Sequence, residues 1–87
     1  MPEQSWRVHL TFTEDPDRTR ADAILELASH KFHGFGQAKR SPQDPHVPVI
    51  GEELAAARAL SDLSHQLLEE AAGRIESFEG HAVKVHG

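Results

Sequence analysis

Residues 6–13 alternate strictly between apolar and polar side chains, and this pattern constrains the fold more than any other feature of the chain. The apolar positions are Trp6, Val8, Leu10 and Phe12, and the polar positions are Arg7, His9, Thr11 and Thr13. Successive side chains of a strand point to opposite faces, so a period of two separates a buried face from a wet one. We therefore predict a half-buried β-strand over residues 6–13.

Two more segments continue this sheet. Residues 14–18 form a polar, proline-containing turn, and residues 19–28 again alternate with a period of two. A helix is the second interpretation of residues 19–28, because alanine, leucine and glutamate favour helices. Residues 31–40 alternate as well, after a loose turn at 29–30. Three antiparallel strands in succession are the simplest topology.

Small side chains form the inward face of the second and third predicted strands. These residues are Ala21, Ala23, Gly34, Gly36 and Ala38. A helix can pack closely on such a zone without leaving a void, and we expect Ala56, Ala57 and Leu60 to lie there. A phosphate-binding loop at Gly34 and Gly36 is disfavoured, because a third glycine and a following helix start are missing.

One long helix is predicted after a proline-rich connection over residues 41–50. The prolines are Pro42, Pro45 and Pro48. The helix is expected to begin at Gly51, with Glu52 and Glu53 in its first turn, where the helix dipole favours negative charge. The predicted core stripe is Ala57, Leu60, Leu63, Ser64, Leu67, Leu68, Ala71 and Ile75, and the predicted polar face is Arg58, Asp62, His65, Gln66, Glu69 and Glu70.

The sequence does not decide between two ends for the predicted helix, and it offers a candidate strand after them. Gly73 either ends the helix or separates a short last turn through Phe78, and Val83 and Val85 alternate in a candidate short strand. The sequence therefore predicts one α+β domain over residues 1–87, with strands and helix in the order β-β-β-α and the helix packed on one face of the sheet.

Composition limits the classes of function. The 87 residues include nine basic and 14 acidic side chains, for a net charge of −5, and no cysteine. Disulfides and thiolate metal sites are therefore excluded, which fits a reducing cytoplasm. The longest apolar run, 54–57, is too short to span a bilayer, and the N-terminal residues lack the apolar segment of a signal peptide. We expect a cytoplasmic protein.

The outward side of the predicted sheet gathers positive charge around an aromatic residue. The candidate RNA-binding or partner-binding residues are Arg7, Arg20, Lys31, His33, Phe35, Lys39 and Arg40. Basic side chains around an exposed aromatic ring can contact phosphates and stack a base. Alternatively, Ile24 and Phe35 are covered by a second subunit, because one helix shields only one face of a sheet.

Two other patterns invite a chemical interpretation, and both are weak. Ser61, His65 and Glu69 line up along one helix surface in the order of a catalytic triad, but an exposed helix face offers no oxyanion hole. The pairs His30/His33 and His81/His86 point to opposite sides of an extended chain, so neither converges on a metal ion. We predict no metal, no cofactor and no small-molecule substrate.

Three stretches of the sequence resemble a family of small actinobacterial proteins known as a domain of unknown function. They are TRADAILEL, FGQAKRSPQDPHVPVIG and VPVIGEELAAARALSDLSHQLLEEA, which together cover much of residues 19–71. The resemblance implies a fold similar to the double-stranded-RNA-binding domain and a dimer. It also implies a link to dormancy or hypoxia and a likeness to ribosome hibernation factors, which bind the small ribosomal subunit. It implies no catalytic residue.

The predicted function is therefore contact with a macromolecule and not catalysis. The first hypothesis is a dimeric cytoplasmic stress or dormancy protein that binds the ribosome or RNA through the outer basic face of its sheet. The second is a self-associating interaction module, with that face buried between subunits and no nucleic-acid binding.

Overall fold

Three antiparallel strands and one long helix make up the computed structural model, which describes residues 3–40 and 47–79. The elements are β1 (Val8–Glu14), β2 (Arg18–Glu26), β3 (Lys31–Lys39) and α1 (Pro48–Glu79), and the sheet order is β1-β2-β3. This confirms the predicted α+β fold. The candidate C-terminal strand and residues 41–46 of the proline-rich connection lie outside the described residues.

The register of the sheet confirms the predicted separation of its two faces. Leu10 pairs with Ala23, which pairs with Gly34, and all three lie on the face toward α1, which we call the inner face. His9 pairs with Ile24 on the opposite, outer face. Because β2 is the central strand, the helical interpretation of residues 19–28 is wrong.

The helix packs directly on the two glycines of β3. A Cβ atom added to Gly36 would lie 2.5 Å from Ala59 N and 2.6 Å from Ala55 O. The buried core is small, and five of its eight residues are alanine: Ala21, Ala23, Leu25, Phe32, Ala38, Ala55, Ala59 and Leu63. The prediction that Ala57 and Leu60 fill this zone is wrong, because both are exposed.

The predicted polar face of the helix is also partly wrong, because three of its side chains contact the sheet. Side chains at successive turns of α1 form hydrogen bonds with backbone groups of β3, and we call this set the edge clip. Its bonds are Arg58 Nη1 to Gln37 O (2.6 Å), Phe35 N to Asp62 Oδ2 (3.0 Å) and Gln66 Nε2 to His33 O (2.7 Å). These contacts occupy backbone groups along the edge of β3 away from β2, which would otherwise be available for pairing with another strand.

The predicted start of the helix and its predicted ending at Gly73 both differ from the observed ones. The helix begins at Pro48. Proline suits this position because a backbone N–H in the first turn has no partner within the helix, and because the φ angle of proline is already helical. Glu52 and Glu53 consequently lie beyond the first turn. The helix also continues through Gly73 to Glu79, because an exposed helix glycine costs only about 1 kcal/mol.

The helix leaves β1 largely uncovered. A helix is about 10 Å wide and strands are about 4.8 Å apart, so one helix covers two strands, here β2 and β3. Val8 is 42% exposed and Phe12 41% exposed although both are on the inner face. The predicted alternation of the β1 side chains between the two faces is therefore correct. The predicted burial of its apolar side chains is wrong.

Candidate functional site

The outer face of the sheet collects most of the predicted binding residues. It carries His9, Thr11 and Thr13 of β1, Arg18, Arg20, Asp22, Ile24 and Glu26 of β2, and Lys31, His33, Phe35, Gln37 and Lys39 of β3. Arg7 precedes β1 and lines a shallow depression with His9, Ile24, Glu26 and Lys31. Six of the seven predicted residues therefore share one side of the sheet.

The seventh predicted residue, Arg40, lies just past the end of β3. Its backbone N–H donates to Asp17 O at 2.9 Å, and its guanidinium donates to Pro16 O at 3.0 Å. Arg40 thus holds the turn between β1 and β2, and its role in binding stays a prediction.

One cation of the outer face was missed from the sequence. Arg18 pairs with Lys39 across β2 and β3 and points outward, with its guanidinium 3.3 Å from Gln37 Oε1. The signal was available, because the parity that places Arg20 outward also places Arg18 outward. It was overlooked because the predicted strand began one residue later, at Thr19.

A cluster of four side chains lies at the centre of the outer face. Arg20 Nη2 is 3.0 Å from Asp22 Oδ1, and His33 Nε2 is 2.7 Å from the same oxygen. The guanidinium carbon of Arg20 lies 4.7 Å from the centre of the Phe35 ring, within the range of a cation–π interaction. Phe35 remains 48% exposed, so its ring is accessible to a ligand.

Contacts within the cluster shift the pKa values of Arg20 and Asp22. The hydrogen bond that Asp22 accepts from Arg20, and after it the one that it accepts from His33, lower the pKa of the Asp22 carboxyl below its ordinary value of 3.8. The same hydrogen bond, together with the negative charge of Asp22, raises the pKa of Arg20. Because Asp22 balances much of the charge of Arg20, the outward charge rests mainly on Arg7, Arg18, Lys31 and Lys39.

Charge is segregated between the two layers of the fold. The helix sequence contains seven acidic and two basic residues, whereas residues 3–40 contain six of each. The outer face itself has only Asp22 and Glu26 as acidic members. The acidic total of the chain therefore does not describe the outer face, which is net positive.

Among the described residues, the candidate catalytic and metal patterns do not gather into sites. Ser61, His65 and Glu69 are all exposed on α1. The ring of His30 packs on Phe32 at 4.4 Å, whereas His33 contacts Asp22. Within residues 3–40 and 47–79, no group of three or more histidine or acidic side chains is placed to hold a metal ion. The pair His81/His86 lies outside the described residues.

A cavity of about 610 Å³ opens where α1 begins, next to the ends of β2 and β3. Thr19, Ile50 and Leu54 contribute to its lining. Arg40 and Val47, which flank the undescribed residues 41–46, also line it, so no ligand is assigned to this cavity. In the described part of the chain, no helix is long and apolar enough to cross a membrane.

The fold and its exposed sheet define a small α+β domain with one helix on a three-stranded sheet. The chain belongs to the Rv2632c-like family, which matches residues 4–84. It is 42% identical over 71 residues to the uncharacterized protein Rv2632c of Mycobacterium tuberculosis strain H37Rv, a match that covers 82% of this chain and 76% of the relative. It is 40% identical over 74 residues to the uncharacterized protein Mb1767 of Mycobacterium bovis, a match that covers 85% of this chain and 79% of that relative.

A solved structure supports the same assignment. The crystal structure of Rv2632c superposes with a TM-score of 0.83 at 39% identity, covering 88% of this chain and 92% of that one. These mycobacterial relatives confirm the resemblance to a family of small actinobacterial proteins. The likeness to the double-stranded-RNA-binding domain and the link to dormancy stay predictions.

Proposed function

We propose that this protein is a non-enzymatic dimer that binds RNA, with the ribosome as the most concrete target, through the outer face of its sheet. The observation that carries the proposal is that Arg7, Arg18, Lys31 and Lys39 share the outer face with the exposed ring of Phe35, on the side of the sheet away from the acidic helix. Cytoplasmic location, which rests on composition, and a role in stress or dormancy, which rests on the family resemblance, belong to the same proposal.

The arrangement supplies the two contacts that single-stranded RNA offers. Its phosphates interact with cations along the strands, and its unstacked bases stack on aromatic rings. Lys31 and Lys39 point outward from the same strand, about 26 Å apart at 3.3 Å per residue. Phe35 lies midway between them, with Arg20 on its ring, so a nucleotide segment along β3 would meet charge, ring and charge in turn.

The experiment measures binding of the purified protein to fluorescein-labelled decauridylate and to small ribosomal subunits across a salt series. Four phosphate contacts give a slope of about −3 for log K against log salt, so affinity falls about 60-fold between about 50 mM and about 200 mM salt. Each of the variants Lys31→Gln and Lys39→Gln removes one phosphate contact and makes the slope less negative by about 0.7. Phe35→Ala weakens binding by about 1–3 kcal/mol through lost stacking.

The control is Arg74→Gln, which removes a cation of α1 that pairs with Glu70 at 3.2 Å. It leaves both the affinity and the slope unchanged if the outer face is the binding surface. No binding to either target at about 50 mM salt refutes the proposal, because electrostatic contacts are strongest at low salt.

The second candidate is a self-associating module with the outer face buried between subunits. The partial exposure of Phe35 and Ile24 favours it, since a second copy would cover both. Sedimentation of Phe35→Asp separates the candidates. A monomeric variant supports the second candidate, whereas an intact dimer that no longer binds RNA supports the first.

A further inference from the structure

An apolar corner of the fold is open to solvent beside β1. It lies between the inner face of β1 and the flank of α1 that faces β1, and we call it the open corner. Its members beside the sheet are Val8, Leu10 and Phe12 of β1 and Leu60, Leu67 and Ala71 of α1, and Phe78 continues the same flank of α1 beyond the end of the sheet. Leu10 and Leu67 also contact the buried core, so the open corner continues the core outward.

The edge clip determines which flank of the helix faces β1. Asp62, at the centre of the clip, lies against the edge of β3 away from β2. At 3.6 residues per turn, the four corner residues of α1 point roughly 140–180° away from Asp62. Since β1 is at the opposite edge of the sheet from β3, this flank lies on the side of β1.

The helix also projects beyond the sheet. Its 32 residues are about 48 Å long, whereas a nine-residue strand spans about 30 Å. Gln66 contacts His33 near the start of β3, so the following turns, including Phe78, extend past the strand end. The radius of gyration, 16.6 Å, exceeds the value of about 12 Å expected for a compact chain of this length.

We propose that a second copy of this chain occupies the open corner, with the helix of each copy seated against the inner face of β1 of the other. This inference rests on the dimeric form in the proposed function and gives that dimer its surface. A two-fold contact uses the same surface patch on both copies, so a patch whose charges all had one sign would repel itself. The seven members of the open corner carry no charge, and Arg74, which lies between Ala71 and Phe78 on the helix, is paired with Glu70 at 3.2 Å.

The exposed apolar area matches what a stable dimer needs. Phe78 is 91% exposed and Phe12 is 41% exposed. With about 200 Å² for a phenylalanine side chain, burying both would remove about 260 Å² from water on each copy. This is about half of the apolar area on one side of a standard interface, which buries about 800 Å² per partner. Val8 and Leu60, at 42% and 40% exposure, add to it.

The test is sedimentation velocity of the full chain from about 1 μM to about 500 μM, with two corner variants and one matched control. The wild type is expected at twice the chain mass of 9.6 kDa. Phe12→Thr and Leu60→Glu each weaken the dimer about 30-fold or more, the effect of losing an interface anchor. Phe35→Thr, an equivalent change on the outer face at similar exposure, leaves the dimer intact.

Circular dichroism verifies that each variant remains folded, and the two corner variants lie on different elements, so a folding defect in one leaves the other informative. A wild type that stays monomeric to about 500 μM overturns the inference. So does a dimer that survives both corner variants or dissociates with Phe35→Thr. The two proposals fail separately. A dimer that does not bind RNA refutes the proposed role of the outer face, and a monomer that binds RNA refutes the proposed role of the open corner.

Discussion

Replacement of Gly36 by alanine is expected to destabilise the fold severely, although the change adds only one methyl group. The new Cβ would lie 2.5 Å from Ala59 N, 2.5 Å from Arg58 Cβ and 2.6 Å from Ala55 O, whereas ordinary contact begins at 3.4 Å. Two of these three atoms are helix backbone, so no rotamer change relieves the clash. The helix must move away from β3 by about 1 Å, a gap that forfeits a quarter to a half of the dispersion energy of each contact.

The same movement strains the edge clip, whose bonds are 2.6–3.0 Å long and lengthen as the helix lifts. Overpacking in a core costs about 1–3 kcal/mol, and a weakened hydrogen bond adds about 1 kcal/mol. We therefore expect Gly36→Ala to lower the free energy of unfolding by about 2–4 kcal/mol. At 4–8 °C per kcal/mol for a domain of this size, the Tm falls by about 10–30 °C.

The assay is urea unfolding followed by circular dichroism, at one fixed chain concentration because a dimer makes stability concentration-dependent. Gly73→Ala is the matched control, since a Cβ at Gly73 meets nothing within 4 Å. That substitution should stabilise the protein by about 1 kcal/mol, because alanine is the better helix former. If Gly36→Ala is neutral or stabilising, the close approach of helix and sheet is refuted.

Two further predictions address the edge clip and the outer-face cluster. Asp62→Ala should cost about 1 kcal/mol and accelerate hydrogen exchange at the Phe35 amide, because that N–H loses its acceptor; Glu69→Ala, on the exposed helix side, should do neither. The pKa of Asp22 is lower in the folded state than its ordinary value of 3.8, so its contacts stabilise the fold fully above about pH 3.8. That stabilisation is lost as the pH falls through the pKa of Asp22 in the folded state. NMR titration should place the Asp22 midpoint below 3.8, and Arg20→Gln should raise it; an unchanged midpoint in that variant contradicts the assignment.

The strands were predictable because their signal is local. A period of two assigns each residue to a face without reference to any partner, so Leu10, Ala23 and Gly34 were placed together correctly. The same parity assembled Arg20 and Phe35 on one face. The hydrogen bonds inside that cluster were not predictable, since they depend on which outward residues the register brings opposite one another.

The orientation of the helix was not predictable from periodicity, because α1 carries two apolar stripes. One contains Ala55, Ala59 and Leu63, and the other contains Leu60 and Leu67. Hydrophobicity favours the leucine stripe, but the glycines on the inner face of β3 admit the helix backbone so closely that the small side chains of Ala55 and Ala59 fit there. The stripe with larger side chains is left on the flank, where it contributes to the open corner.

The two faces of the sheet have separate roles in the proposed function, and amide chemical-shift mapping tests this separation directly. Adding decauridylate should shift resonances around Arg20, His33 and Phe35, whereas dilution of the protein alone should shift those around Phe12 and Leu60. Both perturbations falling on the same face, or RNA shifts confined to the helix, would contradict the account.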